Sequence, residues 1–179
     1  MKEIKLTQNK IALIDDEDFE TINQYKWFTL KTRTVFYAVR HDSKAERYKL
    51  IYMHRFLSNV SPSKEVDHID GNGLNNQKNN LRVCDGKQNQ MNCKIYTNNK
   101  SGFKGVHLKK NTNKWIAQIY LNRRKHYIGL FSTKIEAACA YDAAAKKYFG
   151  EFARLNFADN ASLGAITPPV TDSREAVTL

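Results

Sequence analysis

The first 60 residues alternate short apolar runs with polar turns, a pattern typical of strands. Clusters of aliphatic, β-branched and aromatic residues predict strands at residues 4–7, 10–14, 26–30, 35–41 and 48–53. The acidic run from Asp15 to Asp18 favours a helix N-terminus, so a helix is expected at 15–24. A second short helix is expected at 52–57, before Pro62. This part of the chain is therefore predicted to be a small α+β unit.

Residues 65–94 place a polar loop between two short apolar segments. The order of residues predicts a strand, a loop rich in Gly and Asn, a second strand and one short helix. Asp85 followed three residues later by Gln88 is a helix-start signal. Such a helix would carry Asn89 and Asn92 on one face. Folded back on itself, the segment would bring Asn89 close to the pair Asp67-His68.

Residues 101–157 predict a sheet covered by one long helix. Strands are expected at 103–108, 115–121 and 125–131, and a helix at 134–149. Thr133 with Glu136 forms a capping-box pattern, and Gly150 is a typical helix stop. The many alanines of the helix allow close packing on the apolar face of the middle strand, which leaves the opposite face exposed.

These patterns divide the chain into four segments. We predict an N-terminal α+β unit at 1–60, a second unit at 61–97, a third domain at 98–158 and a tail at 159–179. The tail contains Pro168-Pro169 and no periodic pattern, so we expect it to be disordered. The fold class is predicted to be α+β.

The net charge of +11 changes this picture, because it is concentrated in one segment. Residues 98–158 contain 12 basic and 3 acidic residues. A concentrated basic segment indicates a polyanionic partner, most simply nucleic acid. We expect no membrane partner, since the chain has neither a stretch of 18 apolar residues nor a long basic amphipathic helix.

The three cysteines indicate a reducing compartment. They form no CxxC pair, and the N-terminus lacks the apolar region of a secretion signal. We therefore expect free thiols, a cytoplasmic location and no structural zinc site.

The pair Asp67-His68 is the main candidate for chemistry. Carboxylate and amide oxygens are ligands suited to Mg²⁺, and a neighbouring histidine can take a proton from water at neutral pH. An alternative interpretation is a polar turn that contains a histidine by chance. The spacing to Asn80 and Asn89 favours a metal site.

This segment resembles the HNH endonuclease motif in the form found in phage and intron-encoded homing endonucleases. The matching residues are Val66-Asp67-His68-Ile69-Asp70-Gly71-Asn72, then Asn79-Asn80-Leu81-Arg82, then Gln88-Asn89 and Asn92. The resemblance implies a ββα-metal fold in which Asp67 and Asn89 bind a divalent metal ion, Mg²⁺ before Mn²⁺. It makes His68 the general base and Asn80 the residue that pins the loop around His68. Asn92, at the third signature position, where the motif has a histidine, would either bind metal or support the site.

Two arginines of the first 97 residues are candidates for phosphate contacts. The dipeptide His54-Arg55 recurs upstream of the motif in the family that this segment resembles, which gives Arg55 a phosphate contact or His54 a supporting role. A solvent-exposed helix face is the alternative for both. Arg82 is predicted to contact phosphate, with a solvent-exposed position as its alternative.

The basic segment closely resembles an AP2 domain, the DNA-binding module of plant transcription factors. The matching residues include Ser101-Gly102-Phe103-Lys104-Gly105-Val106, Tyr127-Ile128-Gly129-Leu130-Phe131 and Ala153-Arg154-Leu155-Asn156-Phe157. The resemblance implies a three-stranded antiparallel sheet packed on one helix, with a DNA-facing surface formed by Lys104, His107, Lys109, Gln118, Tyr120, Lys125 and Tyr127. Because lysine lacks the planar donor fork of arginine, we expect mainly phosphate contacts.

Together these resemblances predict a metal-dependent endonuclease that nicks or cuts double-stranded DNA at a site located by the AP2-like module. We expect a monomer or weak dimer, encoded by a phage or mobile element and acting in the cytoplasm of a bacterial host. Two alternatives stay open: a DNA-binding regulator with an inactive nuclease unit, and an RNA-directed nuclease.

Overall fold

The computed structural model describes residues 1–43, 45 and 47–157. The chain forms two compact units, residues 1–93 and 94–179, of which the second is described up to residue 157. Both units combine helices with small antiparallel sheets, and this composition confirms the predicted α+β class. The predicted disordered tail at 159–179 lies outside the described residues.

The N-terminal part of the first unit contains a two-stranded and a three-stranded antiparallel sheet. Its elements are β1 (Lys2–Lys5), β2 (Ile11–Ile14), α1 (Phe19–Asn23), β3 (Phe28–Lys31), β4 (Phe36–His41), β5 (Leu50–Tyr52) and α2 (Met53–Ser58). Strand β1 pairs with β2, and the second sheet has the order β3-β4-β5. All five predicted strands and both predicted helices of this region are therefore present, with shifted ends.

The helix expected at 15–24 is shorter than the acidic run suggested. Asp16–Asp18 form a 3₁₀ turn, and only Phe19–Asn23 are α-helical. Asp15 has an extended backbone and makes no capping bond with the turn that follows. Its carboxylate instead accepts hydrogen bonds from Gln77 and Lys78, far along the chain. The Asp15 side chain therefore serves a tertiary contact and not the helix that follows it.

The remaining part of the first unit follows the order strand, loop, strand, helix. These elements are β6 (Glu65–His68), β7 (Leu81–Cys84) and α3 (Gly86–Met91), with β6 and β7 antiparallel. The predicted helix start is confirmed, because the Asp85 carboxylate accepts from Lys87 and Gln88 N–H while the Gln88 side chain accepts from Asp85 N–H. This reciprocal pair fixes the point at which α3 begins.

One hydrophobic core connects the N-terminal sheets to the loop between β6 and β7. Its buried residues are Ile4, Ala12, Ile14, Ile22, Trp27, Ala38, Met53 and Leu74. Leu74 belongs to the loop, and the other members belong to residues 1–60. The structure places both segments in one unit, and the predicted boundary at residue 60 stays a prediction.

The second unit is a three-stranded antiparallel sheet packed on a long helix. The elements are β8 (Val106–Leu108), β9 (Trp115–Leu121), β10 (Arg124–Phe131) and α4 (Lys134–Phe149). The sheet order is β10-β9-β8, and α4 packs on all three strands. The side-chain hydroxyl of Thr133 accepts from Glu136 N–H, as the capping pattern predicted, whereas the Glu136 carboxylate accepts from Ser132 N–H.

Small residues bring α4 close to the sheet. Ala137, Ala138 and Ala145 are fully buried, and they pack near the inward-facing Ala117 and Ile119 of β9. The predicted division of β9 into a covered and an open face is therefore confirmed. Gly105, with φ of +75°, sits where a Cβ atom would lie 2.0 Å from the Tyr141 ring, so no larger residue fits between sheet and helix.

Candidate functional site

Strand β6 carries the two residues at the centre of the candidate site. Asp67 and His68 are 7% and 6% exposed, so both are nearly removed from solvent. A buried ionisable group requires partners, because burial without them destabilises its charged form. The partners of each residue therefore show how the site is organised.

The Asp67 carboxylate is held from two directions. Its Oδ2 accepts hydrogen bonds from Arg82 Nε at 3.0 Å and Nη2 at 2.7 Å. The Asn92 amide, 7% exposed, donates from Nδ2 to both Asp67 oxygens at 3.0 Å and to the His68 carbonyl at 2.9 Å. Asn92 thus connects the end of α3 to β6, in the arrangement of a residue that supports the site. Its alternative role as a metal ligand stays a prediction.

His68 is held by the loop between β6 and β7. Its Nε2 lies 3.4 Å from Oδ1 of Asn76, a fully buried residue. The Asn76 amide is itself oriented by donation from Nδ2 to the Leu74 carbonyl at 3.1 Å. Because an amide oxygen only accepts, this contact assigns the proton to Nε2 and leaves Nδ1 with a free lone pair. No feature of the sequence distinguishes Asn76 from the other asparagines of the loop.

Burial lowers the pKa of His68 below its ordinary value, against the opposing effects of the Asn76 contact and of Asp70 and Asp67. Its imidazole is therefore neutral at neutral pH and able to accept a proton. The pKa of Asp70 is also lowered: burial acts to raise it, but hydrogen bonds from Asn72 N–H and the amides of Asn75 and Asn80 prevail.

Asn80 holds the two ends of the loop together. Its Oδ1 accepts from Asp70 N–H at 3.0 Å, and its Nδ2 donates to Asp70 Oδ1 and to the Asn75 carbonyl. Its backbone carbonyl accepts from Ile69 N–H at 2.9 Å. These contacts fix the backbone directly after His68, which is the geometry expected of a residue that pins the loop.

The N-terminal segment supports the same loop from outside. Leu13 exchanges backbone hydrogen bonds with Leu74 and Asn76 at 2.8 Å. A Cβ atom on Gly73 would lie 2.5 Å from the Phe36 carbonyl oxygen and 2.7 Å from the Tyr37 ring. The loop therefore lies directly against β2 and β4.

His54 of α2 packs against His68, with ring centroids 4.9 Å apart in an edge-to-face arrangement. The centroid of the Tyr37 ring lies within 6 Å of the ring centroids of both His54 and His68. Burial, with additional effects of His68 and Arg55, lowers the pKa of His54 to about 3, so this ring is neutral. Its buried Nδ1 has no hydrogen-bond partner among the described residues. His54 is thus in place to support His68.

Asn89 is positioned differently from Asn92. Its Nδ2 donates to Oε2 of Glu65 at 2.6 Å. This contact uses the amide nitrogen, so the amide oxygen of Asn89 can accept from or bind another group. Glu65 was not identified from the sequence, although the alternation of strand β6 places it on the face of Asp67. The two predicted arginine contacts to phosphate stay predictions: Arg55 donates to the carbonyls of Lys64 and Ser61, and Arg82 binds Asp67.

The donor chemistry here fits a hard divalent cation. A buried carboxylate on Asp67 and an amide oxygen on Asn89 are the ligand types that Mg²⁺ takes, with water completing its shell. Within the described part of the chain, no group of three His, Cys, Asp or Glu residues could hold a metal ion.

In the second unit, the open face of the sheet collects most of the predicted DNA-facing residues. Cross-strand register pairs Tyr120 with Lys125 and Gln118 with Tyr127. Tyr120 and Tyr127 are 58% and 64% exposed, so they do not cover a core. His107, Lys109 and Lys125 are exposed, and Lys104 is partly buried.

The backbone at Lys104 is fixed by a buried polar cluster. Asn156 accepts from Lys104 N–H at 2.6 Å and donates to its carbonyl at 3.1 Å. Asp142, fully buried on α4, accepts from the backbone N–H groups of Asn156 and Phe157. The segment after α4 is thereby attached to the chain just before β8.

Comparison with known proteins gives two kinds of relative. An uncharacterized HNH endonuclease, L560 of Acanthamoeba polyphaga mimivirus, is 32% identical over 149 residues, which cover 83% of this chain and 75% of that protein. Dehydration-responsive element-binding protein 2A of Oryza sativa subsp. indica is 43% identical over 67 residues, 36% of this chain and 24% of its own. Protein 3.8 of Escherichia phage T7 is 38% identical over 61 residues, 34% of this chain and 50% of its own.

These matches differ in extent. The chain spans three quarters of the mimivirus protein but a quarter of the rice protein and half of the phage protein. No protein-family model matches the chain. None of the helices among the described residues is long and apolar enough to cross a membrane.

Proposed function

The chain belongs to the HNH endonuclease family, with an additional AP2/ERF-like segment, and we propose that it is a metal-dependent nuclease that hydrolyses phosphodiester bonds in duplex DNA. The observation that carries the proposal is the buried arrangement of Asp67, His68 and Asn92: Asn92 donates to the Asp67 carboxylate and to the His68 backbone carbonyl, and burial keeps the His68 imidazole neutral. The names of the relatives support a nuclease and a DNA-binding segment.

Asp67 and Asn89 would hold the divalent ion, Mg²⁺ before Mn²⁺, which when bound supplies Lewis-acid stabilisation of charge on the phosphate. His68 takes a proton from the attacking water at Nδ1, because its Nε2 faces the Asn76 amide oxygen. Asn80 and Asn76 keep the imidazole and the following backbone in one geometry. The reaction thus requires a rigid loop as well as the reacting groups.

The second unit would bring the duplex to this site. An exposed sheet face with Tyr120, Lys125 and Tyr127 can enter a DNA groove or lie along the phosphate backbone. We expect the protein to be a monomer or weak dimer, encoded by a phage or mobile element and acting in the cytoplasm of a bacterial host. One site per chain cuts one strand, so a monomer would nick.

The experiment that tests this function is plasmid relaxation with Mg²⁺ by the wild type and by His68→Ala. General-base catalysis typically contributes about 10²–10⁴-fold, so the variant should lose at least two orders of magnitude in rate. His41→Ala is a matched control, since His41 lies on β4 and packs on Phe28 and Tyr48. Cleavage by His68→Ala at the wild-type rate would reject the assignment.

Parallel reactions on duplex DNA and on RNA of the same sequence distinguish the substrate. We expect cleavage of DNA. Tight DNA binding without cutting in Mg²⁺ or Mn²⁺ would indicate a regulator with an inactive nuclease unit, and preferential cleavage of RNA would indicate an RNA-directed enzyme.

A further inference from the structure

The hydrogen bond between His68 and Asn76 does not by itself fix the orientation of the imidazole. Its length of 3.4 Å is above the range of about 2.7–3.2 Å that N–H···O hydrogen bonds take in proteins. The torsion about the Cβ–Cγ bond of a histidine is only loosely restricted by the side chain itself. A half-turn about that bond would exchange each ring nitrogen with a carbon, so a C–H group would stand where Nδ1 accepts the proton. The orientation of His68 therefore depends on what packs against its ring.

Tyr37 of β4 packs against both histidines of the site. Its ring centroid lies 5.9 Å from that of His68 and 5.6 Å from that of His54, in both cases at an interplanar angle of 55°. His54 in turn meets His68 edge to face. These separations lie within the range at which aromatic rings attract one another. The three rings thus form a closed group, and rotation of the His68 ring would break its packing.

Two neighbours hold the Tyr37 ring in place. The ring of Tyr52, on β5, meets it at a centroid distance of 5.7 Å and an angle of 78°. The backbone of Gly73 lies so close that a Cβ atom there would come within 2.7 Å of the Tyr37 ring. The lack of a side chain at residue 73 therefore allows the loop that follows His68 to approach the ring. A half-buried ring held in this way can restrict the imidazole beside it.

We propose that Tyr37 is a positioning residue of the nuclease, whose ring keeps the His68 imidazole turned with Nε2 towards Asn76 and Nδ1 free to take the proton. The inference rests on the proposed function, since it takes His68 as the general base. It deepens that function by assigning the orientation of the base to a residue of the N-terminal sheet.

The aromatic ring of Tyr37 carries this role, and its hydroxyl group takes no part in proton transfer. Burial, followed by the neighbouring Tyr52 and Asp67, raises the pKa of Tyr37 above its ordinary value. The phenol therefore stays protonated and uncharged at neutral pH, and it does not compete with His68 for the proton of the attacking water. A phenylalanine at residue 37 would keep every ring contact described above.

The first test compares Tyr37→Leu with Tyr37→Phe in plasmid relaxation with Mg²⁺. Misplacement of a reacting group by about 1 Å can cost about 10²-fold in rate. Because His68 and Asn76 remain in both variants, we expect Tyr37→Leu to lower kcat by only about tenfold, with KM for DNA unchanged. Tyr37→Phe should keep the wild-type kcat. Tyr25→Leu removes a ring from a separate aromatic cluster of the same unit, and this matched control should leave kcat unchanged.

The second test observes His68 directly, in the protein without DNA or metal. Long-range proton–nitrogen correlation spectra at neutral pH report which imidazole nitrogen carries the proton, and the His68 signals are identified by their loss in His68→Ala. The wild type and Tyr37→Phe should show the Nε2–H tautomer. In Tyr37→Leu both tautomers should be populated, so the two nitrogen shifts should move towards each other. If circular dichroism shows that Tyr37→Leu does not fold, Tyr37→Met replaces it in both tests.

A wild-type kcat in the folded Tyr37→Leu protein would overturn the inference, and so would an unchanged tautomer of His68. Equal losses of kcat in Tyr37→Leu and Tyr37→Phe would overturn it too, because they would assign the effect to the hydroxyl group. A change in KM alone would show that Tyr37 binds DNA and does not position the base. If the wild type does not cleave DNA but the tautomers respond as expected, the nuclease assignment fails and the positioning of His68 by Tyr37 stands.

Discussion

Asp15 accepts a hydrogen bond from the backbone N–H of Lys78 at 2.8 Å, across 63 residues of sequence. The same carboxylate accepts from Gln77 Nε2, and the Lys78 ammonium pairs with Glu17 and Asp18. Lys78 begins the turn that ends at Asn80. The acidic run near the N-terminus therefore holds the loop that positions His68.

Asp15→Ala should slow cleavage without weakening DNA binding. It removes the acceptor of the Lys78 N–H, and one such hydrogen bond at an exposed position contributes about 0.5–1.5 kcal/mol. We expect a drop in melting temperature and a lower kcat, with KM for DNA unchanged. Asp16→Ala is the control, since Asp16 is exposed and pairs with the N-terminal amine. A normal kcat in a destabilised Asp15→Ala protein would show that the contact serves stability alone.

Asn76→Ala should reduce kcat by removing the group that fixes the His68 tautomer. Without the amide oxygen, Nε2 loses its partner and the ring can rotate or change tautomer. We expect a loss of about tenfold, which is less than the roughly 10²–10⁴-fold that a positioned base contributes, because His68 itself is retained. Asn79→Ala, at an exposed neighbouring position, should behave as wild type. Equal rates for the two variants would contradict the role of Asn76.

His54 should make the stability of the protein depend on pH. Burial first, then the neighbouring His68 and Arg55, lowers its pKa from 6.5 to about 3 in the folded state, whereas in the unfolded chain it takes up a proton near its ordinary value. Between those values the unfolded state binds more protons, so the stabilising contribution is complete above pH 6.5 and declines as the pH falls.

The measurement compares urea unfolding of the wild type and His54→Gln over this pH range. The difference in free energy of unfolding, wild type minus variant, should decrease on acidification. A difference that stays constant would show that His54 titrates alike in both states.

Asn156→Ala should destabilise the second unit and weaken DNA binding through Lys104. The substitution removes both contacts to the Lys104 backbone and leaves the buried Asp142 carboxylate with fewer donors. We expect a loss of about 2–4 kcal/mol in the free energy of unfolding, as for several buried hydrogen bonds lost together. Asn113→Ala, in the exposed turn between β8 and β9, is the matched control. Unchanged stability would show that the cluster is dispensable.

Lys125→Ala should reduce the salt dependence of DNA binding. One lost phosphate contact lowers the slope of log K against log salt by about 0.9. Lys147→Ala removes the same charge from an exposed position on α4 and should leave the slope unchanged. The sheet face would lose its assigned role if both variants gave the wild-type slope, or if the helix variant alone reduced it.

The sequence by itself determined the secondary-structure elements and the candidate site residues of this protein. Alternation and capping are local signals, so β9, α4 and the start of α3 were predictable to within a residue or two. The spacing of Asp67, His68, Asn80 and Asn89 selected the candidate site for the same reason, because each lies at a defined place in a short unit of strand, loop, strand and helix.

Only the tertiary structure decided which partners these residues have. Asp15 accepts a hydrogen bond from the backbone of Lys78, Arg82 binds Asp67, and His54 packs on His68. Such contacts depend on how distant segments pack around one core, and a polar side chain carries no local mark of the partner it will meet. The support of the candidate site is therefore a property of the folded unit, whereas its candidate residues could be recognised from the sequence.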